Sequence, residues 1–179
     1  VDGAADLELV QEKSKGSGYV QADNYGSRFL GVHELRAGYS MSFLPDQTTS
    51  VGILTSVPLK QINNASIEHK YNFLPRLSLQ LSGDYTRTAP GYTLKPQEIK
   101  GKSYGLGAAL NYQWILHRDE QLSTKFAFDH NHSTSDILSS LLSEDETNVI
   151  RIGTHYAAYD VWQGYNDVNL TFSKGVDAF

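Results

Sequence analysis

The chain has 179 residues, of which 20% are charged and 11% aromatic, and its formal net charge is −5. This balance excludes a strongly basic nucleic-acid surface and the charge-rich composition of a disordered chain. The absence of cysteine excludes disulfides and thiolate metal sites. No stretch approaches the roughly 18 apolar residues of a membrane-spanning helix. This criterion does not apply to the strands of a membrane barrel, which are apolar on one face only.

A short first strand is predicted at residues 5–13 (ADLELVQEK), and the flexible stretch SKGSG separates it from the rest of the chain. The chain begins without a positively charged segment or an apolar signal core, and it ends directly after another alternating run. We therefore expect an internal piece of a longer precursor.

Nine longer strands are predicted after this stretch. In residues 33–43, for example, odd positions are mostly apolar and even positions are small, polar or charged, a period of two that indicates a strand with two unlike faces. Several of the strands exceed the usual 5–6 residues and suit the roughly 9–11 needed to cross a bilayer at a tilt. The predicted strands are 17–25, 31–44, 47–56, 62–73, 75–88, 101–115, 120–132, 147–160 and 166–175.

The connections alternate in length. Short turns are predicted at 45–46, 74–75, 117–119 and 162–164, and longer loops at 26–30, 57–60, 89–100 and 133–146. Short turns on one side and longer loops on the other are typical of outer-membrane barrels. Within the last loop, SDILSSLL (135–142) predicts one or two helical turns capped by Ser135 or Asp136 and packed over the barrel mouth, with a contact to cargo or cell surface as the alternative.

Charged and apolar side chains fall on opposite parities within the strands. A lipid-facing charge near the bilayer midplane would cost about 2–4 kcal/mol, so the charged parity is expected to face water. These charges would either contact a passing polypeptide or pair with one another as a solvated wall. His69 and His130 depart from the pattern because they share the apolar parity. The candidate lumen-lining residues are Glu34, Arg36, Glu68, Lys70, Asp84, Lys125, Asp129 and Arg151.

Aromatic residues recur at one end of every second strand. Amphipathic rings favour the membrane interface, whereas a soluble sandwich has no reason to align aromatics in this way. If the first barrel strand rises from the periplasm, these residues form a periplasmic aromatic ring: Phe43, Tyr71, Phe73, Tyr112, Trp114 and Tyr156.

His130 and His132 have the i, i+2 spacing that puts two side chains on one face of a strand. Two imidazoles could share a metal ion, but the sequence fixes no third ligand, so we interpret them as a polar pair at the edge of a loop. No Ser/His/Asp or paired-carboxylate pattern has a recognisable local signature. We therefore predict no enzyme, and no catalytic, cofactor-binding or metal-binding residue.

One motif resembles a known family. DNYGS, then Gly31 and the alternating LRAGYSMSFL, resembles the first barrel hairpin of the two-partner secretion transporters (TpsB), the haemolysin secretion/activation proteins of the ShlB/FhaC/HecB type. ADLELVQEK resembles the closing strand of their last POTRA domain. KSYGLGAALNYQWILHRDEQLSTKFAFDH and RIGTHYAAYDVWQGYNDVNLTFSKG resemble later hairpins. The motif positions are Asp23, Asn24, Tyr25, Gly26, Ser27 and Gly31.

The resemblance implies an all-β fold: the first nine strands of a sixteen-stranded transmembrane antiparallel β-barrel in the bacterial outer membrane. Residues 1–15 would be the end of the last POTRA domain and a linker, and residues 16–179 the first part of the barrel. It also implies a translocator that passes an unfolded exoprotein, a haemolysin or filamentous-haemagglutinin-like adhesin, to the cell surface. The expected partners are that cargo and outer-membrane lipid, without nucleic acid, small-molecule substrate or cofactor.

Two alternatives remain open at this point. A soluble all-β binding module also has alternating strands, but it would bury its apolar set in a dry interior. An outer-membrane barrel for passive diffusion or for barrel assembly would share the fold and differ in what it transports.

Overall fold

A computed structural model describes residues 16–160, 162 and 164–177, so the predicted strand at 5–13 lies outside the described part. The described part contains nine strands in the predicted order and one 3-10 helix at Tyr92–Gln97. The strands are β1 (Gly16–Asp23), β2 (His33–Met41), β3 (Gln47–Val57), β4 (Ile62–Leu74), β5 (Leu77–Thr88), β6 (Lys100–Leu116), β7 (Glu120–Ile137), β8 (Ser140–Tyr159) and β9 (Tyr165–Gly175).

The nine strands form a single antiparallel sheet in which each strand pairs with its neighbours in sequence, in the order β1 to β9. This confirms the predicted all-β antiparallel fold. None of the helical structure in the described ranges is long and apolar enough to cross a membrane.

The register separates the side chains onto two faces, because residues directly opposite each other on paired strands share a face. Glu68 lies opposite Ser50 and Ser82, and Lys125 lies opposite Asn111 and Gly153. We call this side the polar face. The other side, the apolar face, carries rows such as Leu79, Leu110, Phe126, Ile152 and Phe172.

The described residues leave the apolar face uncovered. Leu110 is 39% exposed, Phe126 51% and Phe172 76%. The buried hydrophobic residues of the described chain are only Ala109 and Ala157. A soluble module would bury this set, since large apolar patches left in water are costly. The exposure of these side chains therefore favours a sheet whose apolar side contacts a nonaqueous environment.

The two ends of the sheet differ less than predicted, because only the connections 24–32 and 89–99 are longer than five residues. At one end, the short-turn end, the connections are 42–46, 75–76, 117–119 and 160–164. At the other, the loop end, they are 24–32, 58–61, 89–99 and 138–139.

The prediction of a long loop at 133–146 with helical turns at 135–142 is wrong. β7 continues to Ile137 and β8 begins at Ser140, so the two strands pair through this whole stretch. The connection is a two-residue turn of Leu138 and Ser139, both with positive φ (49° and 64°). Because pairing between the strands satisfies the backbone here, the segment is extended and not helical.

The first three connections of the loop end are joined by backbone hydrogen bonds. Ala89 N donates to Gln61 O (2.7 Å) and Gly91 N donates to Phe29 O (2.7 Å). At their centre Ser56 is fully buried. Its Oγ accepts the N–H groups of Gln61 (3.1 Å) and Ile62 (3.3 Å), so one hydroxyl fixes the start of β4.

Candidate functional site

The family-motif residues build the connection between β1 and β2. Asp23 Oδ1 accepts the N–H of Tyr25 (3.2 Å), and Ser27 Oγ accepts the N–H of Leu30 (3.0 Å). Gly26 N donates to Val32 O (3.2 Å), which closes the loop onto itself. Side-chain bonds of Asp and Ser to nearby backbone are typical of tight turns. DNYGS therefore has a structural role as a folded loop, in which Asn24 is exposed.

Gly31 is fixed by its surroundings. Its φ is +105°, and a Cβ at this position would lie 2.5 Å from Ser56 Cβ. Only glycine combines that backbone conformation with the absence of a side chain. The motif glycine thus lets the first loop approach the buried serine closely.

All eight predicted lumen-lining residues lie on the polar face. Arg36 lies opposite Gln21 and Leu54, Asp84 opposite Ser66 and Gly105, and Arg151 opposite Ala127. Four of the eight are acidic and four are basic, and Asp23, Asp145 and Asp167 add further acidic groups to the same face. That this face lines a lumen stays a prediction.

Two ion pairs form among these eight residues. Arg36 Nη2 donates to Glu34 Oε2 at 2.8 Å, two residues apart on β2. Arg151 Nη1 contacts Asp129 Oδ2 across β7 and β8. Among the described residues Glu68, Lys70, Asp84 and Lys125 have no ion pair. The polar face therefore keeps charges of both signs available to water or to a passing chain.

The floor between these charges is made of small residues. A Cβ at Gly105 would lie 2.5 Å from Asp84 Oδ1, so the glycine leaves room for that carboxylate. Ala109 and Ala127, opposite each other on β6 and β7, continue the floor. The result is an open groove of about 280 Å³ on the polar face, bordered by Lys125, Asp129 and Arg151.

His155 and Asp167 also lie on the polar face and escaped the sequence analysis. His155 Nε2 lies 3.2 Å from Asp167 Oδ1 across β8 and β9. His155 has the same parity as Arg151 in β8, which is the signal that would have identified it.

The six predicted ring aromatics lie at the short-turn end. Tyr71 and Phe73 on β4 pack edge to face with ring centroids 5.2 Å apart, and Tyr112 and Trp114 on β6 do so at 4.7 Å. The other two are Phe43, in the connection 42–46, and Tyr156, near the end of β8.

Polar anchors accompany these rings. Trp114 Nε1 donates to Thr124 Oγ1 (3.0 Å), and Tyr156 OH donates to Glu120 Oε1 (3.3 Å). Rings with one apolar side and one hydrogen-bonding group suit a membrane interface. Their assignment to the periplasmic side stays a prediction.

His130 and His132 lie within β7 and not at the edge of a loop, because β7 is longer than predicted. Both are on the apolar parity, near the loop end. His130 Nδ1 is 2.7 Å from Asn148 Oδ1, and the ring of His132 stacks on Tyr104 at 5.1 Å. The described residues contain no group of three or more metal-ligating side chains. The imidazoles instead belong to a polar patch that ends the apolar face on β7 and β8. His69 lies farther down that face with Nδ1 2.9 Å from Thr49 Oγ1.

Comparison with known proteins adds to this geometry. No family model matches the chain. It is 27% identical over 138 residues to the heme/hemopexin transporter protein HuxB of Haemophilus influenzae strain 86-028NP, covering 75% of this chain and 24% of HuxB. HuxB of H. influenzae strain KW20 / Rd is 28% identical over 136 residues, with 74% and 24% covered.

The fold matches a solved structure. CdiB from Escherichia coli superposes with a TM-score of 0.81 at 13% identity, over 95% of this chain and 33% of CdiB. The sequence and the fold of this chain are both similar to those of TpsB-type outer-membrane barrels. The TpsB-like segment spans less than two thirds of the relatives that it matches, about a quarter of HuxB and a third of CdiB. Its similarity is to a protein named a transporter and not an enzyme.

Proposed function

We propose that the TpsB-like segment is the first part of an outer-membrane translocator that secretes a partner exoprotein, as in type V two-partner secretion. The observation that carries the proposal is the sidedness of the nine-stranded sheet, with mixed charges on one face and exposed apolar side chains on the other. With the CdiB-like fold, this arrangement supports a barrel whose polar face lines a water-filled conduit.

The chemistry of the polar face suits an unfolded polypeptide. Acidic and basic side chains on this face can contact charges of either sign, and the small floor of Gly105, Ala109 and Ala127 offers few apolar contacts. An unfolded chain carries both charge signs and exposed backbone. A wall with weak and varied contacts lets it move without being held at one position.

The domain arrangement is part of the proposal. Residues 1–15 would be the end of the last POTRA domain and its linker, and residues 16–179 the first part of the barrel. The cargo would be an adhesin or haemolysin-like exoprotein. The name of HuxB links that protein to heme and hemopexin, but the residues of the polar face suggest a polypeptide in transit more than a bound cofactor.

The deciding experiment co-expresses the full-length protein with its exoprotein and measures that exoprotein in the medium. We expect export with the transporter, loss of export on its deletion, and recovery on complementation. Unchanged export in the deletion strain would contradict the proposal. Normal levels of other outer-membrane proteins and retention of a periplasmic marker in the same strains separate secretion from barrel assembly and from passive leakage.

A further inference from the structure

Two cations face each other on the apolar face near the loop end. Arg87, one residue before the end of β5, lies directly opposite Lys102 on β6. Both side chains are exposed. Like charges directly opposite each other on paired strands destabilise a sheet, so this pair calls for an explanation.

No acidic residue in the described part of the chain neutralises them. Neither Arg87 nor Lys102 has an ion pair or a side-chain hydrogen bond within the described ranges. Asp136 lies opposite Lys100, and Glu144 lies opposite Thr134, which separates it from Lys102 by a strand. These carboxylates are in the same region and yet beyond ion-pair distance.

The position of Arg87 and Lys102 along their strands indicates which region of the membrane contacts them. Two residues nearer the middle, Tyr85 lies opposite Tyr104, and below them the face continues with Leu106 and then Leu81. Tyrosines of membrane proteins sit at the level of the lipid headgroups. Arg87 and Lys102 are therefore one step beyond the aromatic belt, where long basic side chains reach the phosphate region.

We propose that Arg87 and Lys102 bind the phosphate of a phosphorylated glycolipid in the outer leaflet. Neighbouring strands are about 4.8 Å apart, so one phosphate can accept hydrogen bonds from the guanidinium and the ammonium together. The bridging anion turns a repulsive pair into an attractive site. This inference rests on the proposed orientation, in which the apolar face meets lipid and the loop end faces the cell exterior.

The test uses full-length protein in mild detergent and measures the temperature at which its heat-modifiable mobility is lost, as bis-phosphorylated glycolipid is added. The wild-type protein should be stabilised. Arg87→Gln with Lys102→Gln should need roughly thirtyfold more lipid for the same effect, from about 1 kcal/mol per basic residue near the surface. The matched control, Arg28→Gln with Lys60→Gln, removes two charges from loops at the same end and should behave as the wild type.

Charge-conserving exchange, Arg87→Lys with Lys102→Arg, should keep the response. If the double glutamine variant does not fold, Lys102→Gln alone should weaken the response about fivefold. The inference is overturned if the glutamine variants respond like the wild type, if the wild type does not respond, or if dephosphorylated glycolipid or inorganic phosphate alone stabilises equally well. Export of the exoprotein by the wild-type protein is measured separately. A negative result for the lipid site can therefore be distinguished from a negative result for the proposed function.

Discussion

The ring of Tyr19 covers Gly38 on the polar face of the first hairpin, and on the apolar face the ring of Tyr39 covers Gly18. The two tyrosines lie opposite these glycines in the register of β1 and β2. A Cβ at Gly38 would lie 2.5 Å from Tyr19 Cε1, and one at Gly18 would lie 2.9 Å from Tyr39 Cδ2. An aromatic ring over an opposite glycine shields the backbone and pins the register. The first hairpin is therefore fixed on both faces.

Gly38→Ala should destabilise the protein, because the added methyl group forces the Tyr19 ring away from its site. We expect a cost of at most about 1 kcal/mol, because the Tyr19 ring is 60% exposed and can turn aside, which loses its packing on the glycine. The measurement is the midpoint of heat-modifiable mobility of the full-length protein. The control is Gly83→Ala, where the nearest atoms to the new Cβ are 3.6 Å away. Equal midpoints for the two variants would show that Tyr19 does not depend on the glycine.

Single cysteines should report the two faces, since this segment contains none of its own. Leu110 and Asn111 are adjacent on β6 and point to opposite faces. In intact outer membranes Asn111→Cys should react with a membrane-impermeant maleimide that can enter the lumen, and Leu110→Cys with a lipid-soluble one. The reverse pattern would contradict the assignment of the apolar face to lipid.

The contact between Asp129 and Arg151 should show coupling in a double-mutant cycle. Arg151→Asp should lower the thermal midpoint, and adding Asp129→Arg should restore most of the loss. Because both side chains are about a third exposed or more, the coupling energy should be only about 0.2–1 kcal/mol. Lys125→Asp is the control, since Lys125 has no ion pair among the described residues and its combination with Asp129→Arg should be additive. A coupling of zero for the first pair would mean that the contact does not form in solution.

The turn between β8 and β9 should loosen in acid. The N–H of Gly164 lowers the pKa of Asp160 below its ordinary value of 3.8, helped by the side chain of Asn166 and the N–H of Trp162. Because the folded pKa is the lower one, this stabilisation is present above pH 3.8 and is lost as the pH falls through the folded value. The protection factor of the Gly164 amide, obtained by NMR on the full-length protein and corrected for the intrinsic pH dependence of exchange, should fall in that range. Asp160→Asn should remove this dependence, and an unchanged acid response in that variant would exclude Asp160 as its source.

The strands and their faces could be predicted because the alternation of side chains along a strand, with a period of two residues, depends only on local backbone geometry. The parity of Glu68 and Lys70, or of Leu79 and Leu81, fixes which side chains share a face once a strand exists. The charges on the polar face followed from that rule. Their pairing did not, since the partner of Arg151 depends on the register between β7 and β8.

The turn at Leu138 and Ser139 could not be predicted for a physical reason. Two-residue hairpin turns with positive φ at both positions favour Asn-Gly or Asp-Gly, and neither residue here gives that signal. The flanking SDILSSLL lacks strict alternation, so in isolation it indicates a short helix. Pairing along both strands overrides this local preference. The cations Arg87 and Lys102 were also missed, because their juxtaposition exists only in the register of β5 and β6.

The strand order, β1 to β9 without a crossover, has a consequence for biogenesis. Within the described sheet, each strand from β2 to β9 can dock onto the strand made just before it. A sheet of this kind can grow at a single edge, one hairpin after another, and low contact order makes such growth fast. An outer-membrane protein delivered from its N-terminus onward could therefore assemble this part of its sheet strand by strand, in the order in which the strands are delivered.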